Sequence, residues 1–268
     1  MGSMPREMLK RLLNRRPRLS VGSARVPDGF RVYAIGDVHG RADLLREMHR
    51  LIARDAATGS GLRKVAIYLG DYVDRGLQSR EVVDILLDEA LPGFECVHLR
   101  GNHDHELLSF LEDPLGSAAW LRYGGDATIY SYGVRLPTEA PADERLIMLR
   151  DRLRAALPPR HYAFFASLPL TYEIGDYLFV HAGIDPNKPL DRQTATDLLW
   201  IRDAFLEAEE DFGRIVVHGH SVTEAPEVRD NRIGIDTGAC YTNALSCLVL
   251  QGDGHRFLST RAFDNFAA

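Results

Sequence analysis

The stretch Phe30-Arg31-Val32-Tyr33-Ala34-Ile35-Gly36-Asp37-Val38-His39-Gly40 decides the fold. Phe30 to Gly36 alternates as a strand does and runs directly into a polar loop that holds an acid and an imidazole. Leu44, Leu45, Met48 and Leu51/Ile52 then recur with helical period through about Ala57, so the order is strand, loop, helix. The same order returns in Lys64 to Leu69, Gly70 to Gly76 and a helix carrying Val82, Val83, Ile85, Leu86 and Leu87. It returns once more in Glu95 to Leu99, Arg100 to His103 and a helix opening near Asp104. Three such units in succession predict an α/β fold with a largely parallel sheet, whose carboxyl edge gathers all three loops.

Further along, Gly124-Gly125, Pro137, Pro141 and Pro158-Pro159 interrupt helical stretches between Asp113 and Leu168. That segment is expected to be a helical and loop insertion over the site, not a second domain. After Pro169 the pattern turns to strands: Leu170 to Ile174, Tyr177 to Val180, Arg214 to Val217, with hairpins around Asp230-Asn231 and Gly252-Asp253-Gly254. The expected architecture is therefore a sandwich of two mixed β-sheets flanked by helices, forming one domain over residues 30–268. Residues 1–29 are expected to be an N-terminal extension. Within it Met1-Gly2-Ser3 before Met4 reads as a cloning scar, and Arg6 to Arg18 is basic with Met8/Leu12 and Leu9/Leu13 at helical spacing. Either a solvated tail or a peripheral helix fits that segment, and its partner stays open.

Composition narrows the function classes. At 45% hydrophobic and 26% charged residues the chain has the material for a packed core. Its longest apolar runs, such as Leu245 to Leu250, fall far short of the ~20 residues of a membrane helix. A net charge of −6 provides no global field for nucleic acid, so any cations that bind phosphate must be local. Cys96, Cys240 and Cys247 lack CxxC spacing and suit a reducing compartment, and with no apolar leader segment the cytoplasm is the default expectation.

Polar residues fall at strand ends. Asp37 and His39 follow the first strand, Asp71 opens the loop after the second, and Asn102 and His103 follow the third. His181 ends the strand Tyr177 to Val180, and His218-Gly219-His220 ends Arg214 to Val217. Carboxylate, amide carbonyl and imidazole without thiolate suit Mn²⁺, Fe or Zn²⁺. Two neighbouring ions need a bridging carboxylate. Asp71 fits that place, with Asp37 and His39 completing one ion and Asn102, His181 and His220 the other. The remaining histidines, His49, His98, His105, His161 and His255, lie outside these loops and are expected to be ordinary surface or core residues.

Gly36-Asp37-Val38-His39-Gly40, Gly70 to Gly76, Gly101-Asn102-His103-Asp104, His181-Ala182-Gly183 and Gly219-His220 together resemble the ordered motif set of the phosphoprotein phosphatase branch of the calcineurin-like metallophosphoesterases. The resemblance covers roughly Arg31 to Leu250 and is nearest to bacterial members. It implies two divalent ions, Mn²⁺ foremost. It also implies that His103 is a general acid oriented by Asp74, that Arg75 clamps the phosphoryl group, and that His220 is the ligand while His218 supports it from behind. A second clamping arginine matches best at Arg202 in Leu199-Trp200-Ile201-Arg202. Trp120, Gly124-Gly125, Ser131-Tyr132-Gly133 and Asp236-Thr237-Gly238-Ala239 resemble further family segments and could equally be scaffold.

The symmetrical diadenosine tetraphosphatases share this set but typically carry Ala where this chain has Asp74; the intact Asp74-Arg75 pair instead resembles the protein phosphatases, from whose eukaryotic members the chain departs in having Asp104 where they have Glu. The resemblance thus implies a serine/threonine protein phosphatase acting on phosphorylated protein or a small phosphoester. A symmetrical diadenosine tetraphosphatase or other dinucleoside polyphosphate hydrolase is the alternative, and an inactive phosphoprotein-binding module a third.

Overall fold

The computed structural model describes residues 18–261 apart from 60, 90 and 136–140. Of the basic stretch Arg6 to Arg18, all but Arg18 lies outside the described residues. Two five-stranded sheets pack face to face. One contains β1 (Phe30–Ile35), β2 (Arg63–Tyr68), β3 (Phe94–His98), β9 (Ser246–Gln251) and β10 (Gly254–Ser259), in the order β10-β9-β1-β2-β3. The other contains β4 (Thr171–Ile174), β5 (Tyr177–Val180), β6 (Ile215–His218), β7 (Glu227–Val228) and β8 (Arg232–Gly234), in the order β4-β5-β6-β8-β7. Both are mixed: β1, β2 and β3 run parallel, as do β5, β6 and β8, while antiparallel β9 and β10 extend the first sheet on one side and antiparallel β4 and β7 close the second on both.

Strand alternation explains the layers. Val32 and Ala34 join Val65, Ile67, Phe179, Val217, Ile233, Leu248 and Leu250 between the sheets, while their neighbours Tyr33 and Ile35 turn outward. There they meet α1 (Ala42–Ala56) through Leu45, Met48 and Ile52, and α2 (Ser79–Asp88) through Val82 and Ile85. β1 and most of β2 are buried on both faces, because the helices that connect the parallel strands cover the outer face, while the edge strand β3 is only half-buried. Outside the second sheet a smaller cluster of Leu178, Val180, Val216, Leu198 and Phe205 does the same. None of the described helices is long and apolar enough to cross a membrane.

The segment before β1, expected to be an extension, is part of this packing from its first described residues. Val21, Ala24 and Val26 are buried in the core between the sheets, and Arg25 N donates to Asp176 Oδ2 at 2.8 Å. Three isolated apolar residues among turn-formers carry no periodicity, so only tertiary contact reveals their role.

The insertion divides in two. Its first part, a 3₁₀ turn (Ala118–Tyr123) and α4 (Gly125–Ser131), reaches the loop after β2 at Asp74, as expected. Its second part, α5 (Ala142–Ala156) and α6 (Pro159–Ser167), packs instead on α3 (Asn102–Glu112), with Leu149, Leu153 and Phe165 joining Leu107 and Phe110 in the helix-covered core.

Candidate metal centre

The loops that leave β1, β2, β3, β5 and β6 are fastened backbone to backbone. His39 N donates to Asp71 O at 2.8 Å, Gly40 N to Tyr72 O at 2.9 Å, and Gly219 N to His181 O at 2.8 Å. His103 N donates to the Asp71 carboxylate at 2.9 Å. Asp104, fully buried, accepts from the backbone N–H of Gly101, Asp71 and Tyr72, and so clamps the second loop to the third. Among the described residues, six other than glycine have positive φ, and five of them, His39, Asp71, Asp74, Arg75 and His220, lie in these loops. That conformation is uncommon outside glycine, and its concentration here is where function would hold strain.

Of the proposed ligands, His39 and Asp71 converge with His103 in one buried group and Asp71, His181 and His220 converge in another, while Asp37 joins neither. Asp71 Oδ2 lies 3.4 Å from His39 Nε2 and 3.4 Å from His181 Nε2, between the two halves. His39 Nδ1 donates to Val73 O and His181 Nδ1 to Leu69 O, each at 2.9 Å, which fixes both rings and leaves Nε2 unprotonated in the neutral form. Burial holds His39 down at about 3 and lowers His181 and His220 as well. A neutral His181 then faces Asn102 Oδ1 at 2.8 Å and Asp71 Oδ2 with three acceptors and no proton among them. His220 Nε2 is buried without a hydrogen-bond partner. Burial pushes Asp71 up, but the surrounding imidazoles outweigh it and hold the group below the usual carboxylate range. Burial and the charges of Asp236 and Asp71 push Asp37 well up. Its carboxylate receives the His220 N–H at 3.1 Å. Converging lone pairs, an orphaned imidazole nitrogen and crowded buried carboxylates are what divalent cations relieve, and the oxygen and nitrogen donors fit such ions.

His103 stands beside this group, its ring centroid 4.8 Å from that of His39, but its Nδ1 is committed to Asp74 Oδ2 at 2.6 Å. Burial lowers His103, the Asp71 and Asp74 carboxylates outweigh it, and the net shift is upward. Asp74 is itself held by Trp120 Nε1 at 2.7 Å and by Thr128 Oγ1 at 2.6 Å, and Thr128 also receives the Asp74 backbone N–H. Trp120, left open between substrate segment and scaffold, therefore positions the Asp74–His103 pair. Thr128 does so too and gave no sequence signal. Arg75 Nη1 donates to His39 Nε2 at 2.8 Å and its Nη2 lies 3.1 Å from His103 Nε2, which puts its guanidinium at the mouth of the group. Arg202 reaches it from the other side, donating to His220 O at 3.3 Å.

His218 does not back the ligands. β6 alternation turns Val217 inward and His218 outward, where its ring lies 5.1 Å from that of Phe205. His220 escapes that alternation because its φ of 62° ends the strand register and swings the side chain inward.

Residues 30–248 match the family model described as Calcineurin-like phosphoesterase. Among curated proteins, the bis(5'-nucleosyl)-tetraphosphatase PrpE [asymmetrical] of Bacillus thuringiensis (strain Al Hakam) is 23% identical over 235 residues, covering 80% of this chain and 88% of that protein. The protein of the same description from Bacillus cereus (strain 03BB102) matches equally. A crystal structure of a protein provisionally assigned as a diadenosine tetraphosphatase superposes with a TM-score of 0.58 at 20% identity, covering 88% of this chain and 98% of that one. A cold-active protein tyrosine phosphatase gives 0.58 at 19%, covering 89% and 82%. At such identities the structural likenesses show the fold.

Proposed function

The chain belongs to the calcineurin-like phosphoesterases, and from that premise we propose a two-metal phosphoester hydrolase whose substrates are serine/threonine phosphomonoesters. Two divalent ions, Mn²⁺ in the first place with Fe or Zn²⁺ as the other candidates, supply Lewis acidity and a water ionised near neutral pH when bound. Asp37, His39, Asp71, Asn102, His181 and His220 hold them. Arg75 and Arg202 flank the centre and orient the phosphoryl oxygens from two sides. His103, kept charged by Asp74, delivers a proton from Nε2 to the departing oxygen once Arg75 has turned from it to the phosphoryl group.

The observation that carries the substrate class is the 2.6 Å pairing of His103 with a wholly buried Asp74 that two further donors hold in place. A seryl or threonyl alkoxide is a poor leaving group and needs a proton in the transition state, whereas a nucleotide departs readily as an anion.

Dinucleoside polyphosphates are the second reading, favoured by the description of the curated relatives and by the rim of the site. Tyr241 and Trp200 are 68% and 41% exposed, and their rings stand beside Arg75 and His220 respectively, where a nucleobase could stack. A panel of phosphopeptides, diadenosine tetraphosphate and p-nitrophenyl phosphate, each with Mn²⁺, decides between them. Higher kcat/KM on phosphopeptides is expected. A large preference for diadenosine tetraphosphate would overturn the protein substrate and keep the hydrolase, and no turnover of any of them would leave the binding module.

A further inference from the structure

Arg75 is fixed at its stem. Its backbone takes a φ of 68° and donates to Gly124 O at 3.2 Å, and a Cβ on Gly124 would stand 2.6 Å from Arg75 N and 2.9 Å from Arg75 Cγ. The insertion thus packs against the side chain as far as Cγ, and what is left to move is the guanidinium. There Nη1 donates to His39 Nε2 at 2.8 Å and Nη2 lies 3.1 Å from His103 Nε2, so both terminal nitrogens face imidazoles. An arginine that clamps a phosphoryl group needs those same nitrogens for its oxygens. The guanidinium therefore has to turn before it serves, and an unguided turn would forfeit the pre-organisation that suits Arg to the task.

A third neighbour is compatible with both positions. The guanidinium carbon of Arg75 lies over the Tyr241 ring, 5.7 Å from its centroid. A guanidinium bonds through its edge and meets an aromatic ring with its face, so it can exchange one set of hydrogen-bond partners for another and keep the ring. Tyr241 stands largely in solvent and adds nothing to the core, yet its backbone is held. It belongs to the short helix Ala239–Thr242, where Tyr241 N donates to Gly238 O at 2.8 Å and Thr242 Oγ1 to Thr237 O at 2.7 Å. Arg41, in the loop after β1, donates from Nη1 to Ala239 O at 3.1 Å and to Asn243 Oδ1 at 2.7 Å, which ties this turn to the loop that carries His39. Among the described residues the Tyr241 hydroxyl makes no hydrogen bond, which leaves the ring as the part that bears on the site.

We infer that Tyr241 is a positioning residue for Arg75, a ring on which the guanidinium swivels from the imidazoles to the phosphoryl oxygens. Tyr241 holds this place only if Arg75 is the phosphoryl clamp of the reading above, which it deepens. The assignment ties Tyr241 to the phosphoryl group that every substrate shares, whereas a nucleobase stacked on the same ring would tie it to one class of leaving group.

The test is a double-mutant cycle of Tyr241→Ala and Arg75→Ala, read by calorimetric binding of inorganic phosphate to the protein in Mn²⁺, with KM on p-nitrophenyl phosphate and on a phosphopeptide alongside. Tyr241→Ala should weaken phosphate binding and raise KM on both substrates by about 3- to 30-fold, the span from an exposed cation–π contact to a desolvated one. Tyr241→Phe should restore wild-type values. In Arg75→Ala protein, where the ring has no guanidinium to hold, Tyr241→Ala should cost nothing further. The full loss in that background, no loss in the wild-type one, or failure of Tyr241→Phe to restore binding would overturn the assignment. So would a loss confined to diadenosine tetraphosphate, the signature of base stacking. Tyr241→Ser, read in the same way, replaces Tyr241→Ala if the latter does not fold. Undiminished phosphate binding by Arg75→Ala would remove the clamp reading itself, and the assignment with it.

Discussion

At the scale of single residues, Asp74 separates proton transfer from metal binding, because its carboxylate touches His103, Trp120 and Thr128 and none of the proposed ligands by hydrogen bond. His103→Asn should therefore retain both ions yet lose about 10²- to 10⁴-fold in turnover on alkyl phosphoesters, the usual range of a general acid. The loss should shrink on aryl esters, whose leaving groups need little protonation. Asp74→Asn should follow the same trend more mildly, and Trp120→Phe, which removes one hydrogen bond to a buried charge, should cost on the order of tenfold. Equal losses on alkyl and aryl substrates with metals in place would assign His103 to phosphate positioning instead. Arg202 makes a separate case: Arg202→Ala should weaken turnover and inhibition by inorganic phosphate together, and unchanged phosphate inhibition would put it outside the site.

At the scale of strands and loops, the glycines of the motifs are spacing requirements. A Cβ on Gly219 would stand 2.1 Å from Asp37 Oδ1, and one on Gly101 would stand 2.1 Å from Asp71 Oδ1. Gly219→Ala and Gly101→Ala should displace those carboxylates and reduce Mn²⁺ uptake with little change in far-UV circular dichroism. Gly22→Ala, which meets nothing within 4 Å, is the control. Undiminished Mn²⁺ titration of both loop variants would show the carboxylates free to shift. The strands themselves were legible, since alternation in Phe30 to Ile35 and the apolar runs of β2 and β5 state their burial directly. So was the placement of Asp37, His39, Asp71, Asn102, His181 and His220 in the loops that follow strands. What was not legible depends on backbone sign and tertiary reach. No pattern announces that His220 takes positive φ while His218 continues the strand, and nothing in Thr128 indicates that its hydroxyl meets an aspartate 54 positions earlier.

For the whole molecule, the centre spans the seam between the sheets. Asp37, His39, Asp71 and Asn102 come from the first sheet's loops, and His181 and His220 from the second's. Elsewhere that seam is filled by apolar packing, in which Phe179 is fully buried. Ions bound at the proposed ligands would tie together two layers that the hydrophobic core already joins, and the two contributions should be separable. At about 100 times its dissociation constant each ion adds about 2.7 kcal/mol. At about 2–4 °C per kcal/mol for a chain somewhat smaller than this one, two ions should raise the melting temperature by roughly 10–20 °C. Phe179→Ala should cost about 3–5 kcal/mol in the metal-free protein and leave that rise intact, because the cavity lies in the core and not at the edge. Asp71→Asn should do the reverse, folding without metal and losing most of the rise, since it withdraws the carboxylate that lies 3.4 Å from both His39 and His181. Melting curves of the three proteins with and without Mn²⁺ form the test, and a full rise in Asp71→Asn would mean that the two sheets hold their ions independently, with no shared bridge between them.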